Sequence, residues 1–309
     1  MNYWMISPNT YNDEKSADFL TLIESTHKVL MGWKEDESLG KIFKQTVKVN
    51  DLVLIAQGSN KTKKAYFCGL VASESITSRL ENDGVIFEGQ NRLLKYFIKI
   101  DEDLSKFDFS DCAYKEASRI PAIYKLKPNE NRCDKRLIEI LERKLMIVKI
   151  KEKVDLLVNR QQIILQGATG AGKTKLAKQM ANFLINGDME PNIENIKDQV
   201  KFIQFNLSHN YKNSKSITHQ TQDKILAQMA KKAFEDEEKK PYILILENCD
   251  EMLESIYETD GEKEITLPSN LYIIGTMNTA DENTNIDYTI RRRFTFVDIL
   301  ADEIVVNSH

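Results

Sequence analysis

The sequence is poor in the residues that organise disulfide-rich or metal-dependent proteins. It has four cysteines and four histidines among 309 residues. Cys68, Cys112, Cys133 and Cys249 are scattered without paired ligand spacing and are expected to be reduced, buried thiols. His27, His209, His219 and His309 show no ligand spacing either, so no transition-metal site is expected. No apolar run approaches the roughly 20 residues that cross a bilayer. The opening MNYWMISPNTYNDEK lacks a basic stretch followed by an apolar one. A chain with no signal peptide and no membrane span, in the cytoplasm, is the expectation. Positive charge is not in excess, since 43 Lys and Arg stand against 47 Asp and Glu for a net charge of −4. That argues against an extended, sequence-blind nucleic-acid coat, although one domain can still carry a local basic surface. The chain also lacks internal repeats, low-complexity tracts, a nucleophile–histidine–acid set and a nuclease motif.

What is present reads as a soluble globular chain of about two domains. To about Pro128 it is mostly strands: NYWMIS, DLVLIAQ, AYFCGLVAS and LLKYFIKI, with one or two helices between them. CDKRLIEILERKLMIVKIKEKVDLLVN then carries apolar residues at three- and four-residue steps among charges, which predicts a long amphipathic helix, broken at most once. From Gln161 onward strands alternate with helices: QIILQ, VKFIQFNL, YILILE, LYIIGTM and FTFVDIL are strands. Such alternation predicts a parallel sheet covered on both faces. The expected division is a small β domain over 1–130, a helical linker over 131–160 and an α/β core over 161–309.

The strongest chemical signal is Gly167-Ala168-Thr169-Gly170-Ala171-Gly172-Lys173-Thr174, a complete P-loop pattern between a strand and a helix. Glycines let the backbone wrap so that successive N–H groups face phosphate oxygens. The helix N-terminus adds its positive end. Lys173 would reach the β- and γ-phosphates, and the Thr174 hydroxyl would join Mg²⁺. Hydrolysis further needs a carboxylate at the end of a neighbouring buried strand. YILILENCDE supplies it, and the simplest alignment places Glu247 at the metal. Asn248 then stands where a water-activating Glu would be, and an amide cannot take a proton. A shifted register would recruit Asp250 or Glu251 instead.

With the P-loop, this acidic strand end, MNTAD and IDYTIRRRFTF in order, residues from about Gln161 to Leu300 resemble the McrB family of AAA+ GTPases of type IV, modification-dependent restriction systems. The Met-Asn-Thr-Ala-Asp string is more specific than the P-loop. The resemblance implies that Asn278 orients attacking water and that Thr279 and Asp281 belong to the same nucleotide motif. Asp287 matches the Asp before the arginine run, and Arg292 and Arg293 match arginines acting across a subunit boundary. It also implies GTP (or ATP) with Mg²⁺, a homo-hexameric ring and an McrC-like nuclease partner. A AAA+ core normally continues into a helical lid; here the sequence stops soon after its fifth strand, and a longer chain or a partner would supply that lid.

The front region, through YWMISPN, LMGWKEDESLGKIF and VNDLVLIAQGSNKTKKAYFCGLVAS, resembles an EVE domain, a PUA-like β-barrel related to YTH readers of modified bases. The resemblance implies an aromatic pocket for a flipped base on modified double-stranded DNA, whose lost stacking an aromatic face replaces for roughly 1–3 kcal/mol. Trp33 is the first candidate for that face, with barrel core as the alternative. Ser7, Gln57 and Asn60 at strand ends could read base edges or simply close loops. Lys61, Lys63 and Lys64 form a basic loop suited to phosphates, or a solvated hairpin tip. Three functions follow: a GTP-hydrolysing recognition subunit; a modified-base reader whose degenerate core no longer hydrolyses; or an RNA-directed NTPase, since the PUA-like fold also serves RNA.

Overall fold

The computed structural model describes residues 1–8, 16–57, 64–100, 122–129, 132–189, 191–204, 215–249, 267–278 and 292–300. The chain forms two compact units, Met1–Leu145 and Met146–His309.

In the first unit, β1 (Tyr3–Ile6), β2 (Lys28–Met31), β3 (Leu52–Gln57), β4 (Lys64–Val71), β5 (Ile76–Asn82), β6 (Val85–Lys99) and β7 (Ile123–Lys125) form one sheet. The order is β2-β6-β4-β3-β1-β7, with β5 also pairing with β6. Among the described residues the seven strands follow this path, and no pairing joins β2 to β7. β3 is buried at every position. Side chains alternate between faces, and both faces are covered. Leu52, Leu54 and Ala56 pack with Leu137, Leu141 and Leu145 of α3 (Arg132–Arg160). Val53 and Ile55 pack with Leu22 of α1 (Ser16–Thr26) and Phe43 of α2 (Ser38–Gln45). Trp4 belongs to this second core, its indole N–H donating to buried Asp51 at 2.9 Å.

The sequence pattern marks β6 only in its second half and leaves β5 unmarked. The two form a hairpin closed by Asp83-Gly84, both at positive φ (49° and 79°), the type I′ geometry that matches strand twist. Their half-exposed, polar residues blur the apolar alternation that would have marked them.

α3 runs unbroken for 29 residues, and the division between the units falls within it. Cys133, near its start, is disulfide-bonded, which corrects the expectation of four reduced thiols; Cys68 and Cys249 are free and buried. Dispersed sequence spacing carries no information about which Cβ atoms meet in space.

In the second unit, β8 (Gln162–Gly167), β9 (Val200–Gln204), β10 (Tyr242–Glu247), β11 (Leu271–Asn278) and β12 (Thr295–Asp298) form a fully parallel sheet of order β12-β8-β11-β10-β9. β11 therefore lies between the P-loop strand and the acidic strand. α4 (Lys173–Asn186) packs Leu176 and Met180 on Ile163, Leu165 and Ile245. α5 (Lys215–Glu235) packs Leu226 and Met229 on Leu244, Leu246 and Ile273. Burial on both faces explains the continuous apolar runs of these strands. No helix among the described residues is long and apolar enough to cross a membrane.

Candidate functional site

Parallel strands end on the same side, and ligands of such sheets bind at those carboxyl ends. Register brings the relevant ends together: Asn278 pairs with Gly167, and Glu247 with Thr276. Between β8 and α4 the P-loop turns through Gly170 and Gly172, both at φ 82°, where a side chain is strained. Gly172 then opens α4.

Lys173 is buried, and its ammonium donates to Gly167 O at 2.9 Å, Ala168 O at 2.8 Å and Asn278 Oδ1 at 2.9 Å. Those bonds occupy all three of its N–H groups. The Thr174 hydroxyl donates to the Glu247 carboxylate. Four residues singled out in the sequence, Lys173, Thr174, Glu247 and Asn278, thus meet at one sheet end. The adjacent Thr174 and Glu247 oxygens suit a hard cation such as Mg²⁺, directly or through its water shell.

Two supports of this site were not legible beforehand. The first lies under the P-loop. A Cβ on Gly167 would stand 2.3 Å from Ile299 O. Ile299 N–H donates to Gln166 O at 2.7 Å, and the Gln166 amide donates to Asp298 Oδ1 at 2.6 Å. The first P-loop glycine is therefore also a close-packing glycine against the end of β12. The second support holds the acidic strand end. Asn248 sits at φ 55° and donates its N–H to Thr276 Oγ1 at 3.3 Å. Cys249 donates both its N–H, at 3.0 Å, and its thiol, at 3.4 Å, to Thr276 O. A polar Thr276 in an otherwise apolar strand was the available signal.

Arg292 and Arg293 are exposed and immediately precede Phe294 and β12. β12 runs parallel to β8, Thr295 pairing with Ile163 four residues before Gly167. The arginines thus stand at the far end of the sheet, roughly 13 Å or more from the chain's own phosphate loop. Thr279, Asp281, Asp287, Asp250 and Glu251 lie outside the described residues, as do Asn60, Lys61 and Lys63.

In the first unit, half-buried Trp33 lines a cleft of ≈ 370 Å³ with Glu35, Thr77, Arg79, Glu88 and Gln90. Gln90 ties the cleft to the core by donating to Trp33 O at 3.0 Å and Gly40 O at 3.3 Å. Glu35 accepts from Lys44 and from the Thr77 hydroxyl, and those bonds hold its carboxyl below the usual range. Ser7 and Gln57 do not line this cleft. Both are buried, and among the described residues Ser7 Oγ and Gln57 Oε1 have no hydrogen-bond partner.

A five-stranded parallel sheet with a P-loop at its carboxyl end, and with polar ends of β10 and β11 beside it, is the core of a P-loop NTPase module. Residues 162–294 match the family model of the AAA domain (dynein-related subfamily), so the second unit carries an AAA+ module. The chain is also similar to the "Type IV methyl-directed restriction enzyme EcoKMcrB subunit" of Escherichia coli (strain K12). The two are 31% identical over 170 residues, which is 45% of this chain and 35% of that protein. The chain thus spans about a third of the length of that relative. Two solved structures overlap it at 16% identity. C. elegans PCH-2 has a TM-score of 0.34, over 52% of this chain and 42% of that one. Hsp104, reconstructed in its closed state with ATPγS and FITC casein, has a TM-score of 0.31, over 49% and 26%.

Proposed function

We propose that this chain is the nucleotide-hydrolysing recognition subunit of a modification-dependent restriction system. The observation that carries the reading is the meeting of Lys173, Thr174, Glu247 and Asn278 in a module similar to the McrB subunit. GTP, or else ATP, binds with Mg²⁺ on the backbone of residues 167–174. Lys173 neutralises phosphate charge, Thr174 and Glu247 hold the metal shell, and Asn278 orients the attacking water. The module works as a ring in which Arg292 or Arg293 of one copy completes the site of its neighbour. Their distance from the chain's own P-loop supports action in trans. The Trp33 cleft takes a modified base flipped from double-stranded DNA and stacks it on the indole. An McrC-like subunit cuts, since this chain carries no nuclease motif.

The test is Mg²⁺-dependent release of phosphate from GTP and from ATP by the purified chain, with and without modified DNA and the cognate nuclease. Turnover that requires Lys173 and rises with the partner is expected. A second reading has one specific observation in its favour: Asn248, in a left-handed backbone position, offers no base. No turnover with any nucleotide, alongside intact binding of modified DNA, establishes that reading and overturns the first.

A further inference from the structure

The net charge of −4 hides a sorting of charge along the first half of α3. Arg132, Lys135, Arg136, Glu139 and Arg143 are all exposed. Their spacing of three, four, seven and eleven residues places them on one helical face, which is about 17 Å long. Four cations thus stand against one acid. The other acids of this half point inward and are consumed there. Asp134 accepts from Lys127 N–H at 2.8 Å and from the Tyr124 hydroxyl at 3.0 Å. Glu142 is buried and accepts from the Tyr3 hydroxyl. Among the described residues, Arg132, Lys135 and Arg143 have no ion-pair partner. Exposed Lys127, whose backbone is tied to Asp134, adds a further cation beside the first turn.

Fold stability does not account for this pattern. A helix N-terminus carries a partial positive charge and disfavours cations, yet Arg132, Lys135 and Arg136 occupy the start of α3. The core would be unaffected by acids at these outward positions, because the buried face is carried by Leu137, Ile138, Leu141 and Leu145.

We infer that this face of α3 is a phosphate-tracking surface, and that its partner is the backbone of a DNA duplex. A row of guanidinium and ammonium groups about 17 Å long spans several phosphates and positions a duplex without reading its sequence. The inference rests on the DNA-binding reading of the first unit and assigns it a second contact, separate from the Trp33 cleft.

The test is fluorescence-anisotropy titration of the full chain with labelled duplexes, one modified and one unmodified, over a series of salt concentrations. The triple variant Arg132→Glu, Lys135→Glu, Arg143→Glu should lose at least about tenfold in affinity for both duplexes alike. Its slope of log affinity against log salt should be shallower by about 2 or more. Its thermal midpoint should be unchanged or higher, which separates lost contacts from lost folding. Trp33→Ala should remove the preference for the modified duplex and leave the slope as it was. A triple variant with wild-type affinity and slope overturns the basic-face inference and leaves base reading untouched. Failure of the wild-type chain to bind either duplex overturns both. Tighter binding of an RNA duplex, lost in the triple variant, overturns DNA as the partner.

Discussion

Lys173 Nζ lies 2.9 Å from Asn278 Oδ1, across 105 residues of sequence, and joins the phosphate loop to the end of β11. The register of β8 and β11 makes the contact, since Gly167 and Asn278 are direct neighbours. A phosphate entering the loop would compete with Asn278 for the same ammonium.

This pairing separates holding from cleaving. Lys173→Ala should abolish nucleotide binding, followed with a fluorescent GTP analogue. Asn278→Ala should change affinity by less than about tenfold while lowering turnover by about 100-fold or more. Equal losses of affinity in the two variants would remove Asn278 from the chemistry.

Gly167→Ala drives a methyl group into Ile299 O, which is backbone and cannot swing aside. A cost of about 1–3 kcal/mol in denaturant unfolding is expected, together with weaker nucleotide binding as the loop shifts. If stability and affinity both stay at wild-type values, β12 does not brace the P-loop.

Asn248 occupies a left-handed backbone position, which Asn and Gly tolerate and β-branched residues do not. Asn248→Gly should therefore unfold within about 1 kcal/mol of wild type, whereas Asn248→Val should cost about 1–3 kcal/mol. Thermal melts of the two variants decide the point, and identical midpoints would count against strain at this turn.

Arg92 is fully buried on β6 and donates to Phe43 O at 3.1 Å and Lys44 O at 2.9 Å, at the carboxyl end of α2, and to Ser73 O at 3.0 Å. Burial lowers its pKa, with Glu74 opposing the shift. Arg92→Met leaves those carbonyls without a donor and should cost about 2–4 kcal/mol in urea unfolding. Arg92→Lys should recover little, because one ammonium cannot serve both groups of acceptors. Full recovery by Lys would show that charge alone suffices.

Tyr3 donates to Glu142, and burial first, then that bond and the carboxylate charge, push the phenol well above its ordinary value. The folded value exceeds the unfolded one, so the pair's contribution is complete below about pH 10. It is lost as pH rises from there through the folded value, because the unfolded chain then binds fewer protons. Tyr3→Phe should cost about 1–2 kcal/mol at neutral pH and flatten the alkaline fall in stability. Parallel pH profiles for wild type and variant would rule this out.

Much of the candidate site is legible because its signals are local. The P-loop pattern lies within eight consecutive residues, and the apolar runs of β8, β10 and β11 mark strands buried on both faces. The β5–β6 hairpin was less legible, although Asp83-Gly84 names its turn, because its flanks are too polar to show a period of two. The disulfide bond at Cys133 is not legible in the sequence, since spacing along a chain does not report distance through space.

By itself the sequence determined where the P-loop glycines, buried strands and the long helix α3 lie, since each depends on neighbours within one or two turns. Only the tertiary structure decided what these elements press against. It brought Ile299 under Gly167, Thr276 under Cys249, and Arg92 beneath α2, and it turned Asp134 and Glu142 inward so that α3 shows cations. Those outcomes depend on strand register and on close packing between residues far apart in the chain, and a difference of one residue in register would send each strand side chain to the other face.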